Sequence, residues 1–352
     1  MKIGIIGLPQ SGKTTIFNAA AGQSETVGDF SKASHRAVVK VPDPRLDRLA
    51  DLVTPKKVVH AEITYIDSGA FTGKGKQADA AAIEIPEDIR YADALMVVVD
   101  CFSPDAKPER DFNLFNEEMI LADQIVVERT LHKRERAAQL AADKEAVHEA
   151  DVLKKCLASL ESEKPLSSAG LSVDERRILS GYTFLSIKPL LVVLNIVETD
   201  IGKERVWADR FGNLIIPGAR EFVALCGKIE MELAVLGTDD RAVFLTDLGI
   251  ERPAMDLLIR KSQSLLGLIS FFTYNEQEAH AWTVPAGTPA RKAAGTVHSD
   301  MERGFIRAEV IKFEDFDRHG SVHAVKEAGK FHVEGKEYIV SDGDIVLIRF
   351  NV

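Results

Sequence analysis

The chain has 352 residues, of which 45% are hydrophobic and 28% charged, as is ordinary for a globular protein of two or three domains. A formal net charge of −10 argues against electrostatic binding of nucleic acid by the chain as a whole, and we expect no DNA specificity. A local basic patch is still compatible with this net charge. No stretch approaches eighteen uninterrupted apolar residues, which predicts no membrane span, and three cysteines without metal-type spacing are typical of reduced thiols in a cytoplasmic protein.

The first residues carry the most specific motif of the chain. A short apolar strand, Lys2–Ile6, leads into G-L-P-Q-S-G-K-T at residues 7–14, and a helical pattern follows from Thr15 to Ala21. This is the G-x-x-x-x-G-K-[ST] phosphate-binding loop in the strand–loop–helix context that it requires. Its backbone N–H groups and the helix N-terminus favour a polyphosphate. The residues predicted to contact the nucleotide here are Gly7, Gln10, Ser11, Gly12, Lys13, Thr14 and Thr15.

Strands and helices alternate after this loop. Two of the strands are nearly all apolar, which indicates a mostly parallel sheet with helices on both faces. The predicted elements are a strand at Arg36–Val41, a short helix opened by Pro42-Asp43-Pro44, a strand at Val58–Ile66, a helix around Glu87–Ala92 and strands at Ala94–Asp100, Pro189–Asn195 and Glu221–Cys226.

A long helical pattern interrupts this alternation from about Asp111 to Leu160. Its apolar residues step by threes and fours, and polar residues near Lys133–Arg136 predict the bend of a helical hairpin or short coiled coil. The same charged cluster is interpreted as a solvated helix face, with a contact patch for an acidic partner as the alternative. We therefore predict a nucleotide-binding domain at residues 1–110 and 187–274, a helical insertion at 111–186 and a small α+β module at 275–352.

Further candidate residues follow two of the other strands. Asp67 ends a strand, where an acidic residue usually holds Mg²⁺ through water. Asn195 to Glu198 follow a later strand at the position expected to recognise the base. The guanine-recognising form of this element is Asn-Lys-x-Asp, whereas here Ile196 replaces the lysine and the carboxylate is one methylene longer. Because an acceptor shifted by one carbon loses its geometry toward two guanine donors, the pattern weakens a preference for guanine.

Together these motifs resemble the Obg-like ATPases, the YchF group of translation-factor-class P-loop proteins. The resemblance covers nearly the whole chain. It is carried by the loop at residues 7–15, by P-D-P-R-L-D at 42–47, by Asn195 to Glu198, and by A-W-T-V at 281–284, G-F-I-R-A-E-V at 304–310, E-D-F at 314–316, K-E-A-G-K at 326–330 and D-G-D at 342–344 with F-N-V at 350–352.

The resemblance implies a C-terminal TGS domain of β-grasp fold, hydrolysis of ATP in preference to or alongside GTP, and association with ribosomes. It also implies roles for individual residues. Lys13 and Asp67 are the expected catalytic residues, Thr14 and Ser31 the expected Mg²⁺ ligands, and Asn195, Ile196 and Glu198 the expected base contacts. Phe71 stands where related GTPases carry a water-orienting glutamine, so we expect slow intrinsic turnover.

Three hypotheses follow from the sequence. The first is a slow ATPase whose nucleotide state moves loops that bias contact with the ribosome. The second keeps the fold but makes the protein a GTP-preferring regulatory switch. The third is a nucleotide-gated ribosome- or RNA-binding module with vestigial catalysis, motivated by Ser31, Ala70 and Phe71.

Overall fold

The computed structural model describes residues 1–22, 35–67, 86–141 and 144–351 of the chain. Its strands in these ranges are β1 (Lys2–Ile6), β2 (His35–Lys40), β3 (Lys57–Val59), β4 (Glu62–Asp67), β5 (Ala94–Cys101), β6 (Leu190–Ile196), β7 (Arg220–Leu225), β8 (Leu268–Tyr274), β9 (Glu278–Pro285), β10 (Phe305–Lys312), β11 (His332–Glu334) and β12 (Asp344–Phe350). Its helices in these ranges are α1 (Lys13–Ala21), α2 (Pro44–Val53), α3 (Glu87–Arg90), α4 (Pro108–Ala141), α5 (Lys144–Glu161), α6 (Val173–Leu179), α7 (Glu204–Arg210), α8 (Gly227–Val235), α9 (Thr238–Asp247), α10 (Ala254–Leu265), α11 (Ala290–Val297), α12 (Ser299–Arg303), α13 (Phe313–His319) and α14 (Val322–Glu327).

The chain divides into two compact units, and neither is one continuous segment. The first unit comprises Met1–Val39 and Thr64–Leu258, and the second comprises Lys40–Ile63 and Ile259–Val352. The predicted domain bounds stay a prediction. Three chain connections join the two units, at residues 39/40, 63/64 and 258/259.

The sheet of the first unit has the strand order β2-β4-β1-β5-β6-β7. Every neighbouring pair from β4 to β7 is parallel. Strand β6 is buried at every position, as expected for a strand covered on both faces. The predicted α/β fold, with a mostly parallel sheet and helices on both faces, is confirmed. Because the carboxyl ends of parallel strands meet at one edge, the segments after β1, β5, β6 and β7 gather there, and β4 ends at the same edge.

One predicted strand is wrong as a single element. The segment Val58–Ile66 forms two strands, β3 and β4, which pair in different sheets. The break falls at His60 and Ala61, where the Ala61 carbonyl accepts a hydrogen bond from the Val41 N–H at 2.7 Å. Hydrophobic content alone could not locate this break, since both sides of it have strand-like composition.

Helices α4 and α5 form the predicted helical hairpin, but the bend lies elsewhere. Helix α4 continues through the charged cluster to Ala141, and α5 begins at Lys144. Within the cluster, Arg134 pairs with Glu149 at 2.9 Å and Glu135 pairs with Lys154 at 3.3 Å. The cluster therefore contacts the charges of α5 and does not end the helix. Although α4 has 34 residues, no helix in the described ranges is long and apolar enough to cross a membrane.

A buried carboxylate fixes the base of this hairpin. Asp123 of α4 accepts hydrogen bonds from the Leu185 N–H at 2.8 Å, the Ser186 N–H at 2.7 Å and the Ser186 hydroxyl at 2.6 Å. Burial raises the pKa of Asp123 to about 6, and the three donors oppose that rise. The carboxylate thus holds the segment before β6 against α4.

We expect Asp123 to make stability fall as pH rises from about 4 to about 6. Its folded pKa lies above the ordinary value of 3.8, so the folded state binds the proton more tightly and loses that advantage as pH rises through its own pKa. The shift corresponds to on the order of 3 kcal/mol. The difference in free energy of unfolding between wild type and Asp123→Asn, measured by urea titration at several pH values, isolates this residue. A difference that does not change across this interval would contradict the assignment.

The second unit is built on a sheet with the order β11-β10-β12-β8-β9-β3. Its core contains Phe271, Val284, Ala308, Val310 and Val346. Strand β3 pairs in parallel with β9 at one edge, and α2 packs against β9 and α13. Residues of the P-D-P-R-L-D segment therefore belong to the unit that contains the carboxyl-terminal strands.

Arg45 of that segment forms ion pairs with two carboxylates, one in the segment itself and one just before β12. Its guanidinium donates to the carboxylates of Asp43, at 2.8 Å, and of Asp342, at 2.7 Å, and lies 5.4 Å from the centre of the Phe272 ring. The two carboxylates raise its pKa despite partial burial. Asp342 also accepts from the Ser270 N–H, so Arg45 links α2 to β8 and to the turn before β12.

We expect Arg45→Lys to lower the free energy of unfolding by about 1–2 kcal/mol, since an ammonium cannot reproduce a planar fork that bridges two carboxylates over a ring. Urea titration measures the change. Arg48→Lys is the matched control, because Arg48 on the same helix makes a more exposed pair with Asp317. An equal loss of unfolding free energy in both variants would show that the bridge at Arg45 contributes no more to stability than the exposed pair at Arg48.

Candidate nucleotide-binding site

The loop between β1 and α1 has the backbone that its glycines allow. Gly12 has a φ of 92°, and a Cβ at this position would lie 2.2 Å from the Asn195 side-chain nitrogen. A Cβ on Gly7 would lie 2.5 Å from the Val98 carbonyl oxygen. Both positions therefore require glycine. Gln10, in the same loop, is exposed, and its φ of 66° lies in the left-handed region.

Lys13 lies at the first position of α1 and turns back over the loop. Its ammonium donates to the Gly7 carbonyl at 3.1 Å and to the Leu8 carbonyl at 2.8 Å. Burial lowers the pKa of Lys13, and the negative charge of Asp67 opposes that shift. A buried cation that donates to neutral carbonyls is suited to exchange them for phosphate oxygens.

Thr14 and Asp67 form a polar pair beside the lysine. The Thr14 hydroxyl donates to the Asp67 carboxylate at 3.2 Å. Asp67 is buried at the end of β4, and its register partner on β1 is Ile5, just before the loop. The structure therefore brings together Lys13, Thr14 and Asp67, and their catalytic and metal-binding roles stay predictions. Ser31, Ala70 and Phe71 lie outside the described residues.

Asn195 ties the phosphate loop to a second loop. Its amide nitrogen donates to the Ser11 carbonyl at 3.1 Å, and its amide oxygen accepts from the Gly227 N–H at 3.0 Å. A Cβ on Gly227 would lie 3.0 Å from that oxygen and 3.4 Å from the Thr15 methyl group. Both ends of the buried Asn195 amide are thus occupied by the protein, and the residue positions the loops.

The other two predicted base contacts lie in different surroundings. The Ile196 side chain is 1% exposed and packs in the sheet core, so only its backbone is left to touch a nucleotide. Glu198 opens a single 3₁₀ turn, Glu198–Asp200, and its half-exposed carboxylate lies 3.5 Å from the Lys228 ammonium. Of the two, Glu198 is the side chain that solvent and a ligand can reach.

Three features of this edge were missed by the sequence analysis. Gly227 and Lys228 follow β7, and a chain position after a parallel strand was the only signal for them. Phe102 follows β5, is 41% exposed and lies 3.9 Å from where a Cβ of Gly12 would stand. An exposed aromatic ring directly after a buried strand was a readable signal.

The Ser11 hydroxyl faces a small cavity behind the loop. The cavity has a volume of about 80 Å³ and is also lined by Gly7, Val98, Asp100 and Phe115. Among the described residues the buried Ser11 oxygen has no hydrogen-bond partner. An orphaned buried hydroxyl next to a polar cavity indicates room for ordered water behind the phosphate loop.

This loop lies at the carboxyl edge of a parallel sheet, with Lys13 and the Thr14–Asp67 pair around it. That arrangement places the first unit in the class of P-loop nucleoside triphosphatases. The chain is 38% identical to the ribosome-binding ATPase YchF of Bacillus subtilis (strain 168), with 99% of each chain covered. It is 36% identical to the protein of that name from Pasteurella multocida (strain Pm70), covering 100% of this chain and 99% of the relative. The chain belongs to the YchF family.

Family models and a solved structure agree with this assignment. A model described as a 50S ribosome-binding GTPase matches residues 2–129. The YchF-GTPase_C model, described as a protein of unknown function (DUF933), matches residues 268–351. The structure of the Schizosaccharomyces pombe YchF GTPase is similar with a TM-score of 0.82 and 25% identity, covering 99% of this chain and 97% of that one. The resemblance noted from the sequence motifs is therefore confirmed.

Proposed function

We propose that this chain is a cytoplasmic, ribosome-binding ATPase that hydrolyses the β–γ phosphoanhydride of ATP with Mg²⁺. The observation that carries the proposal is the grouping of Lys13, Thr14 and Asp67 at the phosphate loop, with Glu198 on the base side of the same sheet edge. The names of the full-length relatives support the ribosome as partner.

Lys13 supplies the positive charge for phosphoryl transfer. In the structure its ammonium donates hydrogen bonds to the carbonyls of Gly7 and Leu8 in the loop. A triphosphate entering the loop offers charged acceptors instead, and charge-assisted hydrogen bonds are roughly twice as strong as neutral ones. The ammonium then stabilises the charge that develops on the transferring group.

Thr14 and Asp67 fit the metal that such a reaction uses. One hydroxyl and one buried carboxylate, joined at 3.2 Å, offer the hard oxygen donors that Mg²⁺ prefers. We propose that the Thr14 hydroxyl binds the ion directly and that Asp67 orients its water shell. A bound ion would neutralise charge on the β- and γ-phosphates.

On the base side, the accessible side chains in the described ranges include Glu198, Lys228 and Phe102. The Phe102 ring offers a face for stacking on a purine, an interaction that does not distinguish adenine from guanine. Glu198 reaches further than an aspartate and is paired with Lys228, so it does not present the fixed short acceptor that guanine needs. We therefore propose that ATP binds at least as well as GTP.

A GTP-preferring switch is the second candidate. It is favoured by the family model that matches residues 2–129 and by the similar S. pombe protein, both of which are described as GTPases. The geometry around Lys13 and Asp67 serves either nucleotide. The two candidates differ only in the base contacts.

Calorimetric titration of the full chain with ATP and with GTP, each with and without Mg²⁺, tests the proposal. We expect ATP to bind at least as tightly as GTP and Mg²⁺ to strengthen both. Steady-state phosphate release with purified ribosomes follows. Clear GTP preference would replace the proposal with the switch, and tight ATP binding without turnover would replace it with a nucleotide-gated binding module.

A further inference from the structure

A second cavity of the first unit lies at the sheet edge opposite to the phosphate loop. It has a volume of about 370 Å³ and lies where β5 and β6 begin, between the end of α3 and the segment from α6 to β6. The phosphate loop follows the carboxyl end of β1, and β1, β5 and β6 are parallel. Strand β5 has eight residues and therefore separates the two sites by roughly 25 Å.

The lining of this cavity is apolar at the floor and cationic at the rim. Its floor is formed by Ala92, Leu179, Phe184, Ile187 and Pro189. Its rim carries Arg90, Arg176 and Lys188. Two carboxylates oppose these three cations, that of Asp93 in the lining and that of the buried Asp123, which interacts with Arg90 and Lys188. Such a local excess of positive charge is notable in a chain with a net charge of −10. Charge of this sign selects an anionic ligand.

Hydrogen bonds hold the wall of the cavity in place. The Lys188 ammonium donates to the Ala92 carbonyl at 2.6 Å, and both residues line the cavity. Asp123, behind the wall, accepts from the backbone N–H groups of Leu185 and Ser186. Thr183, on the wall, has a φ of 52°, a conformation that residues other than glycine seldom adopt. The cavity is therefore preformed, which lowers the entropic cost of binding.

Burial lowers the pKa of Lys188, and the charges of Asp93 and Asp123 oppose that shift. Its ammonium donates to a neutral carbonyl, so an anion in the cavity would be a stronger acceptor. Tyr91, at the mouth, is 63% exposed and offers a ring to a planar ligand.

We propose that this cavity binds a small organic phosphate, whose phosphate contacts Arg90, Arg176 and Lys188 and whose apolar or aromatic part lies against Tyr91 and Ile187. A volume of about 370 Å³ falls within the range of small-molecule sites. The proposal does not depend on the identity of the nucleotide at the phosphate loop.

The probe is 2-naphthyl phosphate, titrated into the full chain with the phosphate loop saturated by Mg²⁺ and a non-hydrolysable ATP analogue. We expect one site with a Kd below about 1 mM, as ordinary ligand efficiency gives for a ligand of this size. Arg176→Glu should weaken binding at least tenfold, since it reverses a rim charge. Arg177→Glu is the matched control, because Arg177 is its exposed neighbour on α6 and is absent from the lining.

Retained binding in Arg177→Glu together with loss in Arg176→Glu supports the site. No saturable binding, equal losses in both variants, or displacement by further ATP analogue would overturn it. Inorganic phosphate and 2-naphthol separate the two halves of the ligand, and either one binding as tightly as the probe would refute the combined recognition. A 5′-phosphorylated RNA pentamer that binds more tightly than the probe would assign the cavity to a nucleic-acid end and refute a small molecule.

Discussion

Lys13→Ala is expected to lower the rate of ATP hydrolysis by on the order of 10³-fold, the loss typical of removing one preorganised charge from a transition state. The structure places the ammonium over the loop, on the Gly7 and Leu8 carbonyls, where a triphosphate would meet it. Alanine leaves no cation at that position. Steady-state release of phosphate from ATP, measured with and without ribosomes, gives the effect.

The same variant needs a test of folding, because Lys13 is itself buried in the loop. Thermal unfolding should show a small change, since alanine has high helix propensity at this position and removes a buried charge. Lys154→Ala is the matched control, as Lys154 lies on α5 in an exposed pair with Glu135. Turnover that survives in Lys13→Ala would remove the phosphate loop as the catalytic site.

Asn195→Ala is expected to weaken ATP binding by about 10–100-fold and to destabilise the first unit by about 2–6 kcal/mol. The Asn195 side chain donates to the Ser11 carbonyl and accepts from the Gly227 N–H. Alanine would leave both of these backbone groups buried without a partner. Each unpaired buried group costs about 1–3 kcal/mol. The loss of affinity follows because this pair of contacts holds the phosphate loop against the loop after β7.

Calorimetry for ATP and urea titration for stability measure the two effects. Asn195→Asp separates them, because it keeps an acceptor for Gly227 but faces the Ser11 carbonyl without a donor. Asn18→Ala, at an exposed position of α1, controls for loss of an amide. If Asn195→Ala bound ATP as wild type does, a direct or bridging role for this amide would be excluded.

Much of the site could be predicted because its signals are local. Residues 7–14 form a continuous motif, and Asp67 ends a strand whose neighbour β1 leads into that motif. A strand pattern followed by an acidic residue predicts that Asp67 holds Mg²⁺ through water, and in the structure its carboxylate lies 3.2 Å from the Thr14 hydroxyl. Ser31, by contrast, stays a prediction.

The remaining features depend on contacts between residues far apart in sequence. The Asn195 amide meets the Ser11 carbonyl across 184 positions, and Arg45 meets Asp342 across 297. No periodicity or composition encodes such pairs. Ile196 is predicted to contact the base, and the structure buries its side chain because β6 is covered on both faces. A contact between its backbone and a nucleotide stays a prediction.

The second unit is built from two separate chain segments, Lys40–Ile63 and Ile259–Val352, which limits how it can be exchanged between proteins as a domain. A fragment that started at Asn275 would lack β8, α2 and β3. Since β8 lies between β12 and β9 in the sheet, such a fragment would leave two strands without the neighbour that joins them. The carboxyl-terminal segment alone therefore does not contain the whole unit, and recombination can exchange the unit only by also carrying residues 40–63.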